Sequence, residues 1–210
     1  MPAAGAAPRD GEGRVRSLRA DARRNRARIL EAAEEVFAAE GMAVPIDEVA
    51  RHAGVGVGTL YRHFPTKEAL LEAILLSHME GLLAEARARA TAEDPGEALF
   101  GFLALLVEQA SRKRNLADAL AREGVDVEVT VSPIGQALLH AVEELLVRAQ
   151  RSGAVRADVG MPELFGLVAG TCVAAERRYP GAGAPQRMLT IVCDGLRAGG
   201  GPLGVSSEPR

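Results

Sequence analysis

Gly54-Val-Gly-Val-Gly-Thr-Leu-Tyr-Arg-His-Phe-Pro-Thr-Lys-Glu68 is the stretch that decides the fold. Just before it, Ile46, Val49 and Ala50 repeat at i, i+3 and i+4, the spacing of one apolar face of a short helix. Gly54 follows as a C-cap glycine, and Val55 turns the chain back into the core. A second short helix, Val57 to His63, then carries Leu60 inward and leaves Val57, Gly58, Thr59, Tyr61, Arg62 and His63 outside. Helix, tight glycine turn and short second helix make a helix-turn-helix, whose second helix is built to enter the major groove of DNA.

Working outward, a first helix is expected over Asp21–Glu40, with Ile29, Leu30, Ala33, Val36 and Phe37 inward and Gly41 as its stop. Pro45 and the acids Asp47 and Glu48 suit the first turn of the next helix, over Pro45–Ala53. Thr66 is a good N-cap for a long helix reaching Ala90. The span from Arg24 to Leu71 resembles the DNA-binding domain of the TetR family of bacterial transcriptional repressors. The resemblance rests on Ile29-Leu30-Glu31-Ala32-Ala33, Phe37, Gly41, Val49-Ala50, Gly54-Val55, Thr59-Leu60-Tyr61-Arg62-His63-Phe64 and Lys67-Glu68-Ala69-Leu70. It covers roughly a quarter of the chain, and the rest carries no signature of its own.

The resemblance implies that Val57, Gly58 and Thr59 lie at base edges and that Tyr61, His63, Arg62 and Lys67 contact phosphates. Thr59 offers a hydroxyl or a methyl, Val57 a methyl for thymine, and Gly58 only close backbone approach. This short helix has no Arg, Asn or Gln placed for a bidentate base contact, so phosphates and DNA shape are expected to outweigh direct readout. Lys67 at the start of its helix combines an ammonium with backbone N–H groups, a phosphate-binding arrangement. Where many family members cap the second helix with Thr or Ser, this chain has Val44-Pro45, which removes a hydroxyl contact from the expected set.

Net charge is −3, yet it is unevenly spread. Residues 14–67 hold ten Arg or Lys against seven Asp or Glu, while residues 68–210 hold fourteen against nineteen. Arg24, Arg26 and Arg28 stand at the start of the first helix beside the DNA face, and Arg28 joins the expected contacts. Arg14, Arg16 and Arg19 fit a solvated tail as well as a phosphate-binding arm.

The remaining elements follow from punctuation. Residues 1–20 read as a disordered tail, 21–66 as the DNA-binding head, 67–198 as a helical ligand-binding and dimerisation domain, and 199–210 as a loose tail. Helices are expected over Glu97–Ser111, Pro133–Gln150, Pro162–Arg178 and Gln186–Arg197, with a short helical piece at Asn115–Ala121 and irregular chain over Gly124–Ser132. The fold is all-α, a three-helix head on a larger body, about nine helices in total. The last two helices are apolar on more than one side, and the resemblance implies a homodimer through Leu164, Val168, Cys172, Met188, Val192 and Leu196; interior helices of a monomer would read the same way. The resemblance also places a ligand pocket in the body, with Phe102, Leu106, Gln109, Leu138, Phe165 and Thr171 as its candidates or as plain core.

Other classes find little footing. The four histidines lack metal-ligand spacing, no catalytic motif occurs, and Gly54–Gly58 has no preceding strand to make it a nucleotide loop. No catalytic residue, cofactor or metal is expected. Cys172 and Cys193 read as reduced, small core residues, and neither a signal peptide nor a membrane span is expected, which points to the cytoplasm. The expected function is a repressor that binds a palindromic operator on double-stranded DNA and is released by a small-molecule effector. The alternative is an architectural DNA binder without an inducer.

Overall fold

A computed structural model describes residues 10–41, 43–112, 132–176 and 184–199. Eight helices are found among them: α1 (Asp10–Glu40), α2 (Ile46–His52), α3 (Val57–His63), α4 (Lys67–Arg89), α5 (Pro95–Arg112), α6 (Pro133–Arg151), α7 (Met161–Glu176) and α8 (Ala184–Leu196). The described residues contain no strand, only an isolated antiparallel bridge between Val155 and Arg197. Asn115–Ala121 and most of Gly124–Ser132 lie outside the described residues. No helix among the described residues is long and apolar enough to cross a membrane.

Two boundaries differ from the sequence reading. The chain is helical from Asp10, so half of the stretch assigned to a disordered tail continues α1. Arg14, Arg16, Leu18, Arg19 and Ala20 are good helix formers that offset Gly11 and Gly13, and the anchored half from Ile29 onward supplies the costly nucleus that lets the helix propagate backward. The chain also divides into two compact units between Ile74 and Leu75 rather than at residue 66. The reason is packing: Leu70, Leu71, Ala73 and Ile74 at the start of α4 are buried in the same core as Ile29, Phe37, Val49 and Leu60.

Within the first unit, α1 packs on α2 and α3. Leu60 is fully buried, and each such side chain contributes about 1.5–3 kcal/mol on leaving water. Gly54 adopts φ +63, the left-handed conformation that a helix C-cap needs and glycine reaches without strain. Val55 N–H then donates to the Ala50 carbonyl at 3.0 Å, which closes the turn. Pro45 is the N-cap of α2 and makes no side-chain cap bond, whereas Thr66 Oγ1 accepts from the Ala69 N–H at 3.2 Å and caps α4.

In the second unit α5 is central and packs against α6, α7 and α8. Phe102, Leu103, Leu145 and Leu164 are among its most deeply buried side chains. Cys193 belongs to this core and Cys172 packs against it; burial pushes the Cys193 thiol up, as for a small apolar residue. One polar device stands out. The half-buried Arg148 of α6 donates to the carbonyls of Arg89 and Ala90 at the end of α4 and, at 2.9 Å, to that of Ala92. One guanidinium thus gathers the carbonyls just past the end of α4, where the regular helix bonds run out, and ties them to α6.

Candidate nucleic-acid interface

The outward face of α3 is set by the burial of Leu60, which leaves the residues on the other side of the helix to solvent. Val57 is 41% exposed and Tyr61 42%, and Arg62 is exposed as well. Thr59 and His63 are half-buried. A Cβ added to Gly58 would meet nothing within 4 Å, so this position is open to a close approach by another molecule. His63 stacks obliquely on Phe64, ring centroids 6.1 Å apart, and Phe64 itself is buried at the α3 C-cap.

Cations surround this face. The Arg26 guanidinium of α1 lies over the Phe64 ring, 5.3 Å from its centroid. Arg28 rests against the turn: a Cβ on Gly54 would stand 2.9 Å from its Nη2. Lys67 is half-buried with its Nζ 5.8 Å from the Phe37 ring centroid. The ring faces attract these cations and help to position them. The α4 N-terminus already holds one anion. Hydrogen bonds from its own backbone N–H and from Thr66 keep the Glu68 carboxyl below its usual range. Phosphate attraction there therefore falls on the Lys67 ammonium more than on free N–H groups.

Sequence reasoning missed one member of the face. Tyr61 Oη donates to Asp47 Oδ1 at 3.0 Å and joins α2 to α3. That bond, helped by slight desolvation and the carboxylate's charge, raises the Tyr61 pKa above its ordinary value, so the phenol stays a donor throughout neutral pH. The two residues are fourteen apart across the turn, and no periodicity connects them. Asp47 thus puts a negative charge beside a residue expected to meet phosphate. Asp47→Asn is expected to tighten binding to any duplex by about five-fold at low salt, the size of one exposed charge interaction at short range. Fluorescence anisotropy on unrelated duplexes checks this, and the gain should shrink as salt rises.

The pocket candidates lie in the second unit. Phe102, Leu106, Leu138 and Phe165 stand around a cavity of about 130 Å³, together with Gly135, Leu139 and Val142, which the sequence did not single out. Gln109 and Thr171 are not among its walls, and Thr171 Oγ1 donates to the Leu167 carbonyl of its own helix at 2.8 Å. Among the described residues no group of three or more His, Cys, Asp or Glu converges to hold a metal ion.

The residues assigned to a dimer face divide. Leu164, Val168 and Leu196 are buried in the core of their own protomer, so their side chains face inward. Cys172 and Val192 are half-buried, and Met188 is exposed. The outward apolar side chains of α7 and α8 are instead Phe165, Leu167, Val173, Met188 and Ile191, the last 71% exposed. α7 is apolar nearly all round, and periodicity alone could not choose between its faces.

Two family descriptions match the chain. Residues 29–74 match "Bacterial regulatory proteins, tetR family", and residues 94–198 match "Transcriptional regulator SbtR-like, C-terminal domain". A TetR transcription regulatory protein from Mycobacterium vanbaalenii is similar at 45% identity and a TM-score of 0.70, over 86% of this chain and 99% of that one. A TetR transcriptional regulator from Streptomyces coelicolor is 32% identical with a TM-score of 0.67, over 83% of this chain and 99% of that one. Among curated proteins, the HTH-type transcriptional regulator UidR of Escherichia coli is 26% identical over 147 residues, 68% of this chain and 75% of that protein.

Proposed function

The chain belongs to the TetR family of DNA-binding transcriptional regulators, and from that premise we propose that it is a repressor that grips a palindromic operator as a homodimer and lets go when a small molecule binds its second unit. The observation that carries this reading is the outward α3 face, with Val57, Gly58 and Arg62 exposed and Thr59 half-buried beside them, together with Arg28, Tyr61, His63 and Lys67. Val57 and Thr59 have methyl groups for thymine and Thr59 a hydroxyl for either base type, while the cations and Tyr61 are phosphate partners. With no bidentate side chain on α3, specificity draws on half-site spacing and DNA shape. A dimer suits the exposed apolar Leu167, Val173, Met188 and Ile191 of α7 and α8, which otherwise face water. The cavity walled by Phe102, Leu106, Leu138 and Phe165 is the effector site in this reading. A regulator of bacterial genes acts in the cytoplasm.

Release by an effector must obey linkage. The effector shifts the population only by its differential affinity for the DNA-competent and incompetent states. α4 contributes residues to both compact units and is the candidate element for passing that shift along. The test begins with selection of bound sequences from a random duplex pool, which should return a two-fold symmetric site. Placed over a promoter in a reporter strain, that site should be silenced by the wild-type chain. Once an effector is in hand, it should weaken operator binding by the same factor by which operator weakens effector binding. A selected pool without symmetry, or a promoter left unsilenced, rejects the repressor reading.

A further inference from the structure

We infer that the cavity of the second unit takes a compact, uncharged hydrocarbon or aryl group of about the size of a six-membered ring, held by shape and dispersion rather than by hydrogen bonds or charge. This rests on the reading of the second unit as the effector-binding half. The walls are Phe102 and Leu106 from α5, Gly135, Leu138, Leu139 and Val142 from α6, and Phe165 from α7. No side-chain nitrogen, oxygen or sulfur occurs among them.

The polar groups nearest in sequence are committed elsewhere. Gly135 sits in the first turn of α6, where backbone N–H groups could hold an anion, but its N–H donates to Ser132 Oγ at 3.1 Å. Pro133 has no N–H to offer, and the Gln136 N–H goes to the Ser132 carbonyl at 3.0 Å. On α7 the Thr171 hydroxyl is spent on Leu167. Gln109 continues the Phe102–Leu106 stripe one turn further along α5 but lies outside the wall.

Volume sets the size. At about 130 Å³ the cavity is far larger than a water molecule, whose share of the liquid is about 30 Å³. Among the described walls water would find none of the 2–4 polar partners it needs, and cavities of about 150 Å³ with Leu, Ile and Phe walls stay dry and bind benzene or xenon. A carboxylate, phosphate or ammonium would enter such a site without a counter-charge and is excluded by its lost hydration. Phe165 is 40% exposed and also lines the cavity, so it stands at the cavity's mouth.

The test uses the full chain with toluene, benzoate and benzylamine, which share a ring and differ in charge. Binding is followed by calorimetry and by the xenon-129 chemical shift under xenon pressure, and operator affinity is measured separately by anisotropy. The expected result is saturable toluene and xenon binding at one site, with both charged analogues weaker by at least about 100-fold. Val142→Phe should fill the space and abolish both signals, and Leu106→Ala should enlarge it so that naphthalene binds. The second variant guards against misfolding of the first. Benzoate or benzylamine binding as well as toluene overturns the proposed chemistry, as does a wild type that takes up neither toluene nor xenon. Toluene bound with operator affinity unchanged upholds the cavity's chemistry and rejects only its effector role.

Discussion

Replacing Ile191 with arginine is expected to give a folded monomer whose affinity for a two-fold symmetric operator falls by at least about 100-fold, the avidity that two linked half-site contacts supply. Ile191 is 71% exposed in the protomer, so the arginine costs the isolated chain little. Against a second copy the same side chain would be buried without a partner, at several kcal/mol by the usual cost of an unpaired buried charge, roughly 2–7 kcal/mol even for a neutral polar group. Leu167→Arg on α7 should behave alike. Val168→Arg should not: Val168 lies in the protomer's own core, so that variant should lose its fold and precipitate. Light scattering and circular dichroism separate the outcomes. A wild type that is monomeric at micromolar concentration, or an Ile191→Arg chain that remains dimeric, contradicts a face built from these residues.

Arg148→Ala is expected to destabilise the second unit by about 3 kcal/mol, because it takes the charged donor away from the Ala90 and Ala92 carbonyls just past the end of α4. For a chain of this size that corresponds to a fall of roughly 6–12 °C in the midpoint of thermal unfolding. Arg151→Ala, an exposed arginine on the same helix, is the control and should shift stability by less than about 0.5 kcal/mol. Calorimetric scans of the two variants side by side decide the matter. Equal midpoints would mean that water replaces the Arg148 cap without loss.

The head was legible because its signals are local. Gly54 must take a positive φ, Leu60 must point inward, and Ile46, Val49 and Ala50 must share a face, so the turn and both short helices follow from neighbours in sequence. The start of α1 was not legible, because residues 10–19 have no apolar stripe, and their helix depends on propagation from a distant anchored half. The Tyr61–Asp47 bond was hidden for a related reason: it is a meeting of two helices whose angle no periodicity states. In the body the difficulty is an excess of apolar residues. Every side of α7 reads as hydrophobic, so Leu164 and Val168 could not be told from Leu167 and Val173 until α5 was packed against them. The cavity shows the same limit. Phe102, Leu106 and Leu138 follow from helical stripes, whereas Gly135 enters its wall only because α6 starts where it does.

In the proposed complex α3 and the start of α4 grip the phosphates of a DNA duplex. This grip is tested most directly by anisotropy titrations of wild type, Lys67→Ala and Tyr61→Ala against the selected operator and an unrelated duplex over a range of salt. Both variants should bind both duplexes more weakly. Lys67→Ala should also flatten the plot of log affinity against log salt by about one unit, the counterion released at one phosphate contact, while neutral Tyr61 should leave the slope nearly unchanged. Wild-type affinity and slope retained by both variants on both duplexes would contradict the account and remove this face as the site of DNA binding.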